Sequence, residues 1–451
     1  MRMIIPEKII ELSNLFIKSN FKLYLVGGCV RDAIMGLDPH DWDVCTDASP
    51  EEIIALLEAN NIGHFDTGIK HGTVTAIMGD NYEITTFRSE STYSDGRHPD
   101  NVKFIKDVNQ DLARRDLTIN AIAYDITTKE IVDPFNGRSD IENGIIRCVN
   151  DANERMSEDA LRILRALRFS IKYGFSIEEN TKKAMIFNKE LLKKISKERI
   201  TDELRKTLET KNSILDKFME YHEIIFTIIP ELECTYKFDQ KNKYHQHDVY
   251  EHCLAVCDIC KDSSFIVRLA ALLHDIGKPS TFVFVDDGTR EPHGSFHRHP
   301  KASAEITEEI LKKDIRLSNN EANLLLELIR YHDTIINPDI KHLKKFYIKH
   351  GDLFMNDWLE LKTADVEDHI VPEEEKLVWF NKSLILEQLE EIKNTPIPFN
   401  VKDLEIDGND VMAFKNIKPG KEVGKILLDI HTLVLEGKVE NNRDALLELI
   451  K

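Results

Sequence analysis

The spacing of apolar positions divides the chain into two regimes. Over the first 150 residues short apolar runs alternate with helical spacings, whereas from about residue 153 Leu, Ile and Ala recur every three or four positions. KLYLV (22–26) predicts a short strand, CVRDAIMG (29–36) a helix closed by Gly36, and DWDVCT (41–46) a second strand. Ser49 offers an N-cap to PEEIIALLEAN, with Pro50 at the first helical position and Glu51 and Glu52 in the first turn. GTVTAIM and YEITTFR alternate on either side of Gly79, Asp80 and Asn81, which predicts a hairpin. The later pattern predicts helices throughout, interrupted most clearly at NTPIPFN (394–400), whose prolines set off a C-terminal piece of about 50 residues.

At 451 residues the chain exceeds one ordinary core, so several domains are expected. Charged residues make up 31% and hydrophobic ones 42%, with no apolar run of bilayer length, and Glu7 and Glu11 interrupt the opening amphipathic helix where a signal-peptide core would lie. The expectation is a soluble, cytoplasmic protein with no membrane partner. Seven cysteines without framework spacing agree with a reducing compartment. Cys253, Cys257 and Cys260 share one helical face beside His252, and the preferred reading is three small core residues rather than a metal site. A net charge of −19 argues against indiscriminate coating of nucleic acid but leaves room for a basic track, since Lys182 to Lys211 holds ten Lys or Arg against five Asp or Glu.

Asp41 and Asp43 stand two apart, so on a strand they project to one face while Trp42 and Val44 face the other. Two carboxylates on one face can hold Mg²⁺ for in-line attack on a phosphoryl group. Gly27 and Gly28 leave room for backbone to approach a phosphate, with Arg31 at hand. LVGGCVRDAIMG followed by DWDVCTDASPEE resembles the signature of the class II nucleotidyltransferases, which comprise tRNA CCA-adding enzymes and bacterial poly(A) polymerases. Glu83 is a candidate third carboxylate by position. The resemblance continues in RRDLTINAIAYD (114–125), where a helix would set Asp116 and Asn120 one turn apart to grip a ribose or base, with Arg114 and Arg115 neutralising a triphosphate.

SEDALRILRALRF (157–169) places Glu158, Asp159, Arg162 and Arg165 around one side of a predicted helix. In family terms it matches the EDxxR motif, in which Asp159 and Arg162 would read the incoming base in place of a template. Hydrogen-bond arithmetic supports that role independently. Cytosine and adenine each present an exocyclic amino donor beside a ring-nitrogen acceptor, which a carboxylate and a guanidinium complement; uracil and guanine reverse the order. A pair of this kind rejects the wrong bases by leaving buried polar groups unpaired. RSESTYSDGRHPDNVKF (88–104) resembles the flexible loop of full CCA-adding enzymes, and ISKERITDELRKTL (195–208) the family's neck helix, where positive charge would meet an RNA end.

His252, the adjacent His274 and Asp275, and Asp365 follow the order of the HD superfamily, and imidazole with carboxylate suits a divalent transition metal. His299 and His332 could enlarge that site or activate water, and Lys278 could meet a phosphate. IKPGKEVGKILLDI (417–430) resembles the tail of HD-containing CCA-adding enzymes, with Lys418 and Lys421 near a helix start that could hold an RNA phosphate.

The resemblance thus implies a multidomain protein with a polymerase-beta-like α/β head (1–150), an all-α neck binding nucleobase and RNA (151–240), an HD domain (241–393) and a helical tail (401–451) that binds tRNA. The implied reaction is template-independent addition of CMP, CMP and AMP to tRNA from CTP and ATP, with Mg²⁺ at Asp41 and Asp43. Gly28, Arg31, Arg114, Arg115, Asp116, Asn120 and Arg165 would hold ribose and phosphates. Alternatives are a poly(A) polymerase or partial CC- or A-adding enzyme, an HD phosphohydrolase whose head binds nucleotide, and a noncatalytic RNA-binding protein. The last is disfavoured because paired carboxylates repel phosphate unless a metal intervenes. A second, phosphohydrolase activity in the HD domain is a further possibility of the resemblance.

Overall fold

The computed structural model describes residues 3–39, 41–91, 101–286, 288, 291–336, 340–394, 401–435 and 438–450. It divides into two units, Met1–Pro230 with Lys312–Arg316, and Glu231–Leu311 with Leu317–Lys451.

In the first unit, α1 (Glu7–Lys18) leads to β1 (Leu23–Val26), α2 (Gly28–Ile34), β2 (Val44–Thr46), α3 (Pro50–Ala59), β3 (Gly63–Phe65), β4 (Thr73–Met78) and β5 (Asp80–Thr86). β6 (Arg88–Ser91) pairs with β7 (Asn101–Phe104), and α4 (Val108–Ala113), β8 (Ala123–Asp125), β9 (Ile131–Val132) and α5 (Gly137–Asn143) follow. The main sheet runs β3-β4-β5-β2-β1-β8-β9, with only β2 and β5 parallel. All four residues of β1 are buried, which agrees with an unbroken apolar run at the sheet centre. Tyr24, Val26, Cys45, Phe87, Leu112 and Ala123 form the core behind it. Ser49 and Glu52 close a reciprocal capping box at α3, and Gly36 adopts φ +74° just past α2. The hairpin turns at Gly79 as the alternation requires, with Met78 paired to Asp80.

Four local expectations are corrected. The second strand covers only Val44–Thr46; Asp41 and Asp43 lie in the segment leading into it, because Val26 N to Asp43 O (3.1 Å) is the last rung before Gly27 turns β1 away. RRDLTINAIAYD is not one helix: α4 stops at Ala113, Leu117 is extended and bridges Cys148, and Thr118–Asn120 form a single 3₁₀ turn. SEDALRILRALRF is split into α6 (Ala152–Glu158) and α7 (Leu161–Tyr173), since Asp159 is extended (φ −144°, ψ 102°) and its carboxylate accepts from Leu161 N at 3.1 Å. The ends of segment 88–104 are strands rather than loop, while residues 92–100, with Gly96 and Pro99, lie outside the described residues, as do 395–400 of the linker.

Behind the head, α8 (Glu179–Asn188), α9 (Lys197–Leu208), α10 (Leu215–Glu220) and α11 (His222–Ile228) complete a helical stack in which α7 packs on α9. The second unit is built on α12 (Val249–Ile259), α13 (Phe265–Leu273), the short α14 (Lys278–Thr281), α15 (His299–Lys313), α16 (Asn319–Tyr331) and α17 (Ile340–Glu367), which breaks at Gly351. α13 is wholly buried and packs against α12, α16 and α17. The later part is therefore not purely helical: Val283–Val285 pairs with His293–Ser295, and Ile145–Ile146 with Ser176–Ile177. The C-terminal helices Gly408–Lys415, Lys421–Leu435 and Arg443–Glu448 enclose a small core of their own around Val411, Ile430 and Leu446. No described helix is long and apolar enough to cross a membrane.

Candidate functional site

The head site forms where β1 ends. Gly27 takes φ +75° and ψ −124°, a conformation that suits glycine, and a Cβ there would lie 3.0 Å from Arg115 Nη1. The missing side chain lets Arg115 approach the turn. Asp41 and Asp43 are both exposed on the adjoining segment. The Asp43 carboxyl is raised above its ordinary value by the protein packed around it; Arg115 pulls it down and Asp41 pushes it up. Neighbouring carboxylates of this kind, open to solvent and mutually repelling, fit a hard divalent cation. Glu83 stands one residue before Ile84, which pairs with Val44, so it sits level with Asp43 on the neighbouring strand and is likewise exposed.

A carboxylate that the sequence reading missed organises the arginines. Asp111 on α4 is fully buried, bonds Arg114 Nε at 3.0 Å and faces Arg115 Nη2 at 3.6 Å. The legible signal was its spacing, three and four residues ahead of the two arginines.

Asp116 and Asn120, although off a regular helix, do meet. Asn120 Nδ2 donates to Asp116 at 3.2 Å, Arg165 Nε donates to the other Asp116 oxygen at 2.7 Å, and Arg31 Nη1 donates to Asn120 Oδ1 at 2.6 Å. Burial works against the Asp116 charge, but Arg165, with Asn120 and Arg162, holds its carboxyl far below the usual range. Arg31 is itself buried, bonded to Asp32 and lying 5.1 Å from the ring centres of Phe169 and Tyr173. This places Arg31 in a packed polar chain beside Gly28, where a Cβ would sit 3.6 Å from its Nη2. Arg168 and buried Glu203, joined at 2.6 Å, extend the chain onto α9.

The two base-reading candidates lie at the α6–α7 junction and are held from different directions. Arg199 of α9 grips Asp159, with Nη2 2.6 Å from Oδ2 and Nη1 3.3 Å from Oδ1. Arg162 Nη1 bonds Glu158 at 2.5 Å, and its Nη2 donates to Arg114 O at 3.3 Å. Arg155 donates to the same carbonyl at 3.0 Å, so the junction is tied to the backbone that carries Arg114 and Arg115. Much of the basic track is spent in ion pairs, including Lys182–Glu220, Lys189–Glu223, Lys193–Glu190 and Lys197–Asp314. Arg168, Lys172, Lys206 and Lys211 still surround a shallow cavity of about 460 Å³.

In the second unit His252 comes from α12, His274 and Asp275 from the end of α13, and Asp365 from α17. All are buried, and the His252 and His274 Nε2 atoms lie 3.3 Å apart. Asp275 Oδ2 is 3.4 and 3.3 Å from those nitrogens, and Asp365 Oδ1 is 3.4 and 3.8 Å from them. His299 and His332 join the cluster, and Lys278 Nζ bonds Asp275 Oδ2 at 2.6 Å. A cavity of about 460 Å³ opens above, lined by His245, Lys278, Arg298 and His369 among others. Burial pushes the His245 imidazole down to about 2, so it faces the cavity neutral. The three nearby cysteines are buried thiols; burial pushes Cys257 up to about 11 and Cys260 to about 12, as core residues rather than thiolate ligands.

Family models match four stretches: the poly A polymerase head domain at 23–147, an RNA and SrmB binding site of polymerase A at 174–233, the HD domain at 244–371, and a tRNA nucleotidyltransferase domain 2 at 313–450. The CCA-adding enzyme of Enterococcus faecalis is 32% identical over 436 residues, covering 96% of this chain and 92% of that protein. That of Lactobacillus helveticus is 48% identical over 210 residues, which span 44% of this chain and about half (51%) of the relative. The crystal structure of the Bacillus stearothermophilus CCA-adding enzyme in complex with CTP superposes with a TM-score of 0.69 at 25% identity, covering 98% of this chain and 96% of that one.

Proposed function

The chain belongs to the family of CCA-adding enzymes, and from that premise we propose that it adds CMP, CMP and AMP to the 3′ end of tRNA without a template, using CTP and ATP and releasing pyrophosphate. The observation that carries this reading is the junction at Asp159 and Arg162, tied through the Arg114 carbonyl to the segment whose next residue, Arg115, lies against Gly27 and acts on Asp43. Nucleotidyltransferases of this family use divalent metal ions, and Asp41 and Asp43 would hold Mg²⁺, which acidifies the primer hydroxyl and orients the triphosphate. Arg115, lying against the β1–α2 turn, and Arg114 offset phosphate charge. Asp159 accepts from the exocyclic amine of C or A and Arg162 donates to the adjacent ring nitrogen. Because Arg199 and Glu158 already fix these two side chains, neither has to be ordered when the base arrives.

Purified protein is incubated with CTP alone, ATP alone or both, on tRNA lacking zero, two or three terminal nucleotides, and the 3′ ends are sequenced. Restoration of CCA with no further growth is expected, abolished by Asp41→Ala or Asp43→Ala. Extended ATP-only polymerisation on any RNA identifies a poly(A) polymerase instead, and arrest after CC or a single A identifies a partial enzyme.

The buried His and Asp cluster with Lys278 at the floor of its cavity supports a second reading for that unit, a metal-dependent phosphoester hydrolysis. Release of p-nitrophenol from p-nitrophenyl phosphate with Ni²⁺ or Mn²⁺, lost in His274→Ala but kept in Asp41→Ala, tests it.

A further inference from the structure

We infer that Asp111 is a positioning residue of the head, whose buried carboxylate holds Arg115 at the turn after β1 for the nucleotide's phosphates and keeps that guanidinium off the paired aspartates. The inference rests on reading the head as a nucleoside triphosphate site, and it gives a role to a residue that would touch neither nucleotide nor metal.

Asp111 lies on the last turn of α4, a helix seated on the head's core through Val108 and Leu112. Its side chain is fully buried, and a charge in that position must be balanced by its neighbours. The two oxygens are used differently. Oδ1 accepts from Arg114 Nε at 3.0 Å and from the backbone N of Arg88, the first residue of β6, at 3.2 Å. Oδ2 accepts no hydrogen bond among the described residues, and the Arg115 Nη2 atom stands 3.6 Å away. That is close enough for charge to act but too long for a hydrogen bond, so the carboxylate steers Arg115 without occupying its donors. Arg115 Nε is buried and donates to nothing among the described residues, while Nη1 lies against Gly27. An unused buried N–H on a side chain that is still 20% exposed is a donor left for a ligand, and the guanidinium fork matches phosphate.

The charge balance gives Asp111 a second effect. One carboxylate stands between two guanidinium groups, which leaves a single positive charge at the turn. Arg115 already acts on Asp43, whose carboxyl it draws down against the push from Asp41. With Asp111 neutral, Arg114 and Arg115 would repel each other, and the carboxylates of Asp43 and Asp41 would be left to attract Arg115. An arginine paired there competes with Mg²⁺ and is lost to the phosphates. Asp111 therefore acts on two properties together, the affinity for phosphate and the Mg²⁺ concentration the site needs.

The test measures CTP binding to the full chain without tRNA by isothermal titration calorimetry at several Mg²⁺ concentrations, with cytidine read by displacement of CTP. The native protein, Asp111→Asn, Arg115→Ala and the double variant are compared. Asp111→Asn should weaken CTP roughly tenfold or more, the order for one charge-assisted hydrogen bond, leave cytidine unchanged and raise the Mg²⁺ concentration at half-maximal CTP binding. In the Arg115→Ala background the same substitution should cost little further, because the two residues act as a unit. Equal losses for CTP and cytidine, a loss that persists undiminished without Arg115, or an unchanged CTP affinity would each overturn the inference and leave Asp111 a structural brace. Failure of the native chain to bind CTP would overturn the nucleotide reading itself. The calorimetric stoichiometry counts folded sites, so a variant that folds only in part still reports its affinity.

Discussion

Arg199 on α9 holds Asp159 with two nitrogens, 2.6 and 3.3 Å from its two carboxylate oxygens, across a separation of 40 residues. Asp159 sits in an extended break between helices, so its own backbone does little to fix the side chain. On the reading proposed for Asp159, Arg199 would act as a positioning residue for base selection. Removing a charge-assisted hydrogen bond of about 1.5–3 kcal/mol should raise KM for CTP and ATP roughly tenfold or more in Arg199→Ala. It should also raise UMP incorporation relative to CMP, with Arg199→Lys recovering part of both. Steady-state kinetics and competition between CTP and UTP check this; a lower melting temperature with unchanged discrimination would reduce Arg199 to a structural brace.

Gly27 is constrained twice, by its positive φ and by the Arg115 guanidinium lying where a Cβ would point. Gly27→Ala should cost about 1–3 kcal/mol in urea unfolding, the range for a residue held in a sparsely populated backbone region. It should also displace Arg115 and weaken nucleotide binding, whereas Gly36→Ala, strained in φ but with open space around it, should leave nucleotide affinity unchanged.

These sites were legible to different degrees for physical reasons. The cap at Ser49 and Glu52 and the hairpin at Gly79 are written in local chemistry and could be placed from spacing, whereas His252, His274, Asp275 and Asp365 lie far apart in the chain and were placed through the family resemblance. The helix expected through Asp116 and Asn120 failed because Leu117 buries as an extended bridge to Cys148, a long-range pairing that no local period announces. Asp159 is held by Arg199, one turn before Glu203 on the helix whose positive charge the sequence assigned to meeting an RNA end, a long-range contact that spacing within 157–169 does not announce. Asp111 was hidden differently: its spacing to Arg114 and Arg115 was visible, but its complete burial was not.

The polar chain from buried Arg31 through Asn120 and Asp116 to partly exposed Arg165 is stabilising only while complete. Asp116→Asn keeps the shape but leaves the partly exposed Arg165 beside a neutral partner, and with solvent screening on the Arg165 side the change should cost about 1 kcal/mol. Because the Asp116 carboxyl is held below its unfolded value, its contribution is present above the unfolded pKa and is lost as pH falls through the folded one. The native chain should therefore lose its advantage over Asp116→Asn on strong acidification, measured as converging urea midpoints.

Asp357 on α17 carries the opposite sign. Burial, helped by Glu360, pushes its carboxyl up to about 6, so the folded state binds its proton more tightly than the unfolded one. The resulting stabilisation is full below the unfolded pKa and is lost as pH rises through about 6, leaving a strained charge at neutral pH. Because the side chain is only partly buried, solvent screening reduces the cost to about 1 kcal/mol. Asp357→Asn should then raise the melting temperature by about 2–4 °C at pH 7.5. The gain should shrink through pH 6 and vanish near pH 4, where the native aspartic acid is already neutral. A gain that persists at low pH would assign the effect to packing rather than to charge.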